Sequence, residues 1–282
     1  MSVPYEPIVG RYLQQQLLGK PHRVYVEEAG EGIPLLCLHT AGSDSRQYRA
    51  ILNDPDITRD FRVIAFDLPW HGKSSPPAGW EQIEEYRLSS RDYLDIVLGV
   101  ADALELDRPV VMGCSIGGRI VLHLALDHPD RVGAVIGLQS GGHVAPYYDT
   151  QWLHRQDVHG EVSAAVVSGL IGPSANDADR WETLWHYMQG GPGIFKGDLH
   201  FYKVDGDIRS RLHEIDPKRC PVHLLTGEYD YSCTPEDTLA AAAAIGVEAT
   251  IMRGMGHFPM SEDPEGFIAH LRPVLARIRE ER

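Results

Sequence analysis

The chain has 282 residues, with 26 Lys and Arg against 40 Asp and Glu and a formal net charge of −14; the basic residues are scattered, which argues against nucleic acid as a partner. With 43% hydrophobic and 23% charged residues it can bury one large core, and no linker, repeat or low-complexity tract divides it. Cys37, Cys114, Cys220 and Cys233 have the spacing of neither a disulfide framework nor a zinc site, and the lack of a leader or membrane-length apolar run makes a cytoplasmic, membrane-free protein with reduced thiols the expectation.

Short β-branched or leucine-rich runs predict strands at 22–28, 35–39, 62–67, 110–113, 132–139, 222–226 and 249–252. Helical patterns fall at 89–106, 117–128, 235–245 and 264–278; in the first, Leu94, Val97, Leu98, Ala101 and Leu104 form one apolar stripe. This alternation predicts an α/β domain with a mostly parallel, doubly wound sheet. The rhythm fails between 141 and 211, where Trp152, Trp181, Trp185 and Tyr187 accompany the Gly141-Gly142 and Gly190-Gly191 pairs. That stretch reads as a helical lid inserted into a core made of 1–140 and 212–282. Most of its rings are expected to pack the lid itself. Trp152 and Trp185 are the candidates for substrate contact, and a lid of this kind offers a surface for a homodimer.

Gly113-Cys114-Ser115-Ile116-Gly117 stands where a predicted strand meets a predicted helix. A turn that tight needs glycine on either side and forces the serine into a strained conformation that lifts its hydroxyl above the sheet edge. The Ile116 N–H then points toward a developing oxyanion. A serine hydroxyl needs a base and an orienting carboxylate further along the chain. His257, in Gly254-Met255-Gly256-His257, follows the last predicted strand. Asp230 is the preferred acid, after strand 222–226; Glu228 competes, and Asp237 falls inside a predicted helix. The second oxyanion donor is expected from His39-Thr40-Ala41-Gly42-Ser43, with Ala41 first and Thr40 next.

With these motifs in place the chain resembles the α/β-hydrolase superfamily from about 22 to 277, close to its lid-bearing carboxylesterases, enol-lactonases and carbon–carbon bond hydrolases. Asp67-Leu68-Pro69-Trp70-His71-Gly72-Lys73-Ser74 looks like the family's Asp-x-x-Gly-His-Gly-x-Ser turn, and Asp127-His128-Pro129-Asp130-Arg131-Val132 like its helix-to-strand connection. The resemblance implies a Ser115–His257–Asp230 triad, an oxyanion hole of Ala41 and Ile116 amides, no cofactor and no metal, with Asp67 and His71 shaping a turn. Two departures stand out: Thr40 and Trp70 each replace a usual glycine, and both are candidates to narrow the substrate range. The expected activity is hydrolysis of a small apolar or aromatic carboxylic ester through an acyl-enzyme. Carbon–carbon or lactone cleavage by the same residues is the alternative. A perhydrolase or a small-molecule receptor on the same fold ranks lower, and aspartate-nucleophile dehalogenases and epoxide hydrolases are disfavoured by Ser115.

Overall fold

In a computed structural model, which describes residues 5–82, 85–144, 160–191 and 193–282, the apolar runs form one eight-stranded sheet. The strands are β1 Val9–Leu17, β2 Lys20–Ala29, β3 Ile33–Leu38, β4 Phe61–Phe66, β5 Val110–Cys114, β6 Ala134–Leu138, β7 Val222–Gly227 and β8 Ala249–Met252. Their spatial order is β1-β2-β4-β3-β5-β6-β7-β8. The first two junctions, β1 with β2 and β2 with β4, are antiparallel; the remaining pairs are parallel.

Parallel strands need crossovers, which are supplied by α1 Arg49–Leu52, α2 Pro55–Thr58, α3 Ser90–Ala103, α4 Ile116–Asp127, α5 Gly160–Ser168, α6 Asp177–Tyr187, α7 Ile194–His200 and α8 Pro235–Ile245, while α9 Pro259–Glu262 and α10 Pro264–Glu280 follow the last strand. Side-chain alternation along each strand divides the core between the sheet's two faces. Leu36, Leu38, Ile64, Phe66 and Val111 pack with α3, α4 and the 160–215 stretch. Leu35, Cys37, Val63, Ala65, Val110 and Met112 pack with α1 and α10. Both faces are covered, so the central strands carry nearly continuous apolar runs.

The sequence reading did not anticipate β1. Its Gln14, Gln15 and Gln16 give no apolar alternation, and it is an edge strand largely open to water. A two-residue turn, Leu18 (φ 53°) and Gly19 (φ 72°), pairs it with β2 in the register Leu17 opposite Lys20. Between β6 and β7 the described chain is helical, with α5, α6 and α7 over the carboxyl ends of the strands. Among the described residues no helix is long and apolar enough to cross a membrane.

Candidate active site

The loops after β3, β4, β5, β7 and β8 leave the same edge of the sheet, where open α/β sheets bind their ligands. Ser115 closes β5 and opens α4 with φ 60° and ψ −113°, outside the comfortable regions for a side-chain-bearing residue. Glycine makes the turn: a Cβ on Gly113 would stand 2.4 Å from the Gly117 carbonyl carbon, and one on Gly117 would stand 2.6 Å from Leu38 O. Ser115 N–H donates to Leu138 O at 3.1 Å, which anchors the turn to β6. As the first residue of α4, Ile116 has an N–H with no acceptor inside the helix, at its positive end.

His257 Nδ1 lies 2.8 and 2.9 Å from the two carboxylate oxygens of Asp230. A carboxylate can only accept there, so Nδ1 carries a proton and Nε2 is the ring nitrogen turned away from Asp230. Asp230 is itself held: its Oδ1 accepts Ser232 N–H at 2.7 Å and Cys233 N–H at 3.2 Å. The competing acids are occupied elsewhere. Glu228 accepts Gly254 N–H at 3.0 Å, and Asp237 completes the capping box with Thr234 at the start of α8.

The histidine loop is gripped from several sides. Glu262, fully buried, accepts the N–H groups of Gly172, Gly256 and Phe258. Burial pushes its carboxyl up to about 7, against the pull of those three donors. Gln139, held at φ 51° just after β6, donates to Gly256 O at 2.7 Å and accepts from Thr226 Oγ1 and Gly227 N–H. The loop also meets the insertion directly, since His257 N–H donates to Leu170 O at 2.8 Å and Ser174 N–H to Gly254 O at 3.0 Å.

In the loop after β3, Thr40 N–H donates to Gln47 Oε1 at 3.0 Å and so cannot face an oxyanion. Thr40 Oγ1 shares hydrogen bonds with Gln47 and with Tyr187 of α6. That ties Thr40 to the protein instead of to a ligand. Ala41 is buried and, among the described residues, its N–H has no acceptor. His39 orders the loop: Nε2 accepts Leu68 N–H at 3.1 Å, so Nδ1–H donates to Thr40 O at 2.8 Å. Asp67 accepts Ser45 N–H and Lys73 N–H, and burial raises it to about 6.

Ser115, Ala41 and His257 line one cavity with Val167, Leu170, Tyr187, Phe195, Leu199, Tyr202, Ser232 and Phe258. Its free volume is about 10 Å³, room for roughly one water molecule. Three sequence candidates lie elsewhere. Trp70 adopts the left-handed φ of 80°, which aims its ring away from the cavity at Trp80 and Tyr86, into a separate groove with Lys20, Glu85 and Arg87. Trp185 is 55% exposed beside Trp181 and Met188, because α6 turns Thr183, His186 and Tyr187 inward instead. Thr40 is the third, bonded as above and absent from the cavity lining. Trp152 lies outside the described residues.

Sequence reasoning missed Glu262, Gln139, Tyr187 and Asp198. One signal was available for Asp198: Phe195, Asp198, Leu199 and Tyr202 follow helical spacing, which sets a carboxylate on an apolar face. Among the described residues no three His, Cys, Asp or Glu side chains converge as a metal site requires.

Known proteins share this architecture. The family profile described as alpha/beta hydrolase fold matches residues 33–161. The chain is 31% identical over 147 residues to a 2-hydroxymuconate semialdehyde hydrolase of Pseudomonas sp. (strain CF600); the match covers 50% of this chain and 47% of that protein, about half its length. It is 25% identical over 268 residues to a pimeloyl-[acyl-carrier protein] methyl ester esterase of Nitrosospira multiformis, covering 88% and 96% of the two chains. A thermophilic esterase from Thermogutta terrifontis superposes with a TM-score of 0.81 at 19% identity, over 96% of this chain and 99% of that one. With the elbow, the sheet order and these likenesses together, the chain has the alpha/beta hydrolase fold.

Proposed function

We propose that the protein is a serine hydrolase that cleaves carboxylic esters of small apolar or aromatic molecules through an acyl-enzyme. The observation that carries this reading is the orientation of His257: Asp230 claims Nδ1–H, and the ring lines the same cavity as the strained Ser115. His257 Nε2 takes the proton of Ser115 Oγ as that oxygen bonds to the acyl carbon. The carbonyl π pair moves onto oxygen and is met by the Ala41 and Ile116 N–H groups. When the tetrahedral centre collapses, the alcohol leaves with the proton from His257, and water repeats the cycle to free the acid.

The lining of Val167, Leu170, Phe195, Leu199 and Phe258 suits an apolar group. Because the cavity is so small and much of its wall comes from the insertion, substrate entry requires the insertion to act as a lid and shift. The Nitrosospira relative, matched over 96% of its length, favours an ester. The Pseudomonas relative, at 31% identity, supports the second reading: carbon–carbon or lactone cleavage by the same three residues.

Replacing Ser115 with alanine should lower turnover of an aryl acetate by at least about 10³-fold while the thermal midpoint holds. Wild-type turnover in S115A would sink the assignment. Rates on a panel of aryl esters, lactones and dienoates separate the two readings.

A further inference from the structure

Asp198 belongs to α7 of the insertion, is fully buried, and reaches back to the sheet edge. Its Oδ2 accepts Gly42 N–H at 2.7 Å and His71 Nε2–H at 2.7 Å, and its Oδ1 accepts Tyr86 O–H at 3.0 Å. His71 Nδ1 faces another acceptor, the Pro69 carbonyl, at 3.0 Å. Both ring nitrogens therefore carry protons, and His71 and Asp198 form a buried ion pair. Burial alone would lower the His71 pKa; the charge and hydrogen bond of Asp198 overcome it, and the pKa is raised. His39, with its ring centroid 4.9 Å from that of His71, is the opposite case: burial and the His71 charge lower it to about 4.

Two peptide units flank the Cα of Ala41, and each is pinned. In the first, Thr40 O accepts His39 Nδ1–H at 2.8 Å and Ser43 N–H at 3.2 Å, so the Ala41 N–H on the same plane points the other way. In the second, the Gly42 N–H is taken by Asp198. Gly42 sits at φ 70°, and a Cβ there would lie 3.0 Å from Phe195 Cβ, so α7 packs on this loop as well as bonding to it.

We propose that Asp198 is the positioning residue of the oxyanion hole, holding the Ala41 N–H in its orientation from the insertion. The proposal rests on the reading of Ala41 as an oxyanion donor. It makes the hole a joint product of core and insertion, complete only when α7 is docked.

The test compares D198A and D198N with wild type on an aryl ester, alongside hydrogen–deuterium exchange of the 39–47 peptide. D198A should lower kcat about 10- to 100-fold with KM within about threefold, the pattern of a lost transition-state contact. Exchange across 39–47 should quicken. D198N, which keeps an oxygen for Gly42 N–H, should lie between D198A and wild type in both readouts. The proposal is overturned by a D198A kcat within twofold of wild type, by unchanged exchange at 39–47, or by D198N losing as much as D198A. If D198A does not fold, D198N decides alone: wild-type kcat and wild-type exchange together overturn the proposal, and a several-fold lower kcat with faster exchange at 39–47 sustains it. Failure of the underlying hydrolase reading appears separately, as turnover retained in S115A, while the exchange result still reports whether Asp198 holds the loop.

Discussion

Two loops at one sheet edge, 39–44 after β3 and 253–258 after β8, are each gripped by a buried carboxylate, yet from different sources. The histidine loop is held by Glu262, six residues beyond Gly256 in the same chain segment, and by Gln139 from the end of β6. The oxyanion loop is held by Asp198, 156 residues beyond Gly42 and inside the insertion. Local capture fixes the histidine loop from the core, and the insertion braces it through Leu170 O, Gly172 N–H and Ser174 N–H. Distant capture makes the conformation of the loop after β3 depend on how the insertion packs, and with it the oxyanion donor proposed there. The difference teaches that the buried carboxylate holding one loop comes from the core and the one holding the other comes from the insertion, so the two loops depend on the insertion to different degrees.

Breaking the histidine side at its acid gives the largest expected effect in this comparison. Asn at position 230 no longer offers two accepting oxygens to Nδ1, so the ring loses its tautomer, and kcat should fall by about 10³ to 10⁴ with little change in fold. Ester turnover and near-UV circular dichroism of D230N check this. Loss of the oxyanion clamp in D198A, about 10- to 100-fold in kcat, comes next and should leave the base intact.

The Glu262 clamp can be sharpened by pH. Its folded-state pKa, about 7, lies above the ordinary value of 4.5. Its contribution to stability is therefore fully present below about pH 4.5 and is lost as pH rises through about 7. That shift corresponds to about 3 kcal/mol. Wild-type stability relative to E262Q should fall by about that amount between pH 4.5 and 7.5, measured by urea unfolding; a constant difference would contradict the shift. The smallest effect is expected from Thr40→Val, which removes the hydroxyl shared by Gln47 and Tyr187. About 1–3 kcal/mol of stability should be lost. An unchanged urea midpoint would show that this bridge between loop and insertion contributes nothing.

What was legible in the sequence follows the range of the interactions involved. The turn at Ser115 is local: Gly113, Gly117 and the flanking strand and helix lie within a few residues, so steric reasoning reaches it. Chain order set an acid and His257 on successive loops, and strand position with loop reach preferred Asp230 to Glu228. β1 escaped because an exposed edge strand needs no apolar alternation. Trp185 was drawn toward the substrate by its ring, but a surface helix shows one face to water, and α6 buries the face bearing Thr183 and Tyr187. Trp70 was read as a residue that narrows the substrate range, and the left-handed backbone that redirects it has no signature in residue type. Asp198 was missed, although a carboxylate on an apolar helical face was a signal in the sequence. Its partners Gly42, His71 and Tyr86 stand 112 to 156 residues away, and no pattern in a single sequence connects them.

The acyl-enzyme is the central claim, and rapid quenching of an aryl ester reaction followed by peptide mass mapping tests it most directly. The account predicts one acyl mass on the peptide that contains Ser115 in wild type, building up faster than steady-state turnover, and none in the H257A variant on the same timescale. Turnover of the ester with no acyl mass at Ser115, or with the label on another side chain, would contradict it.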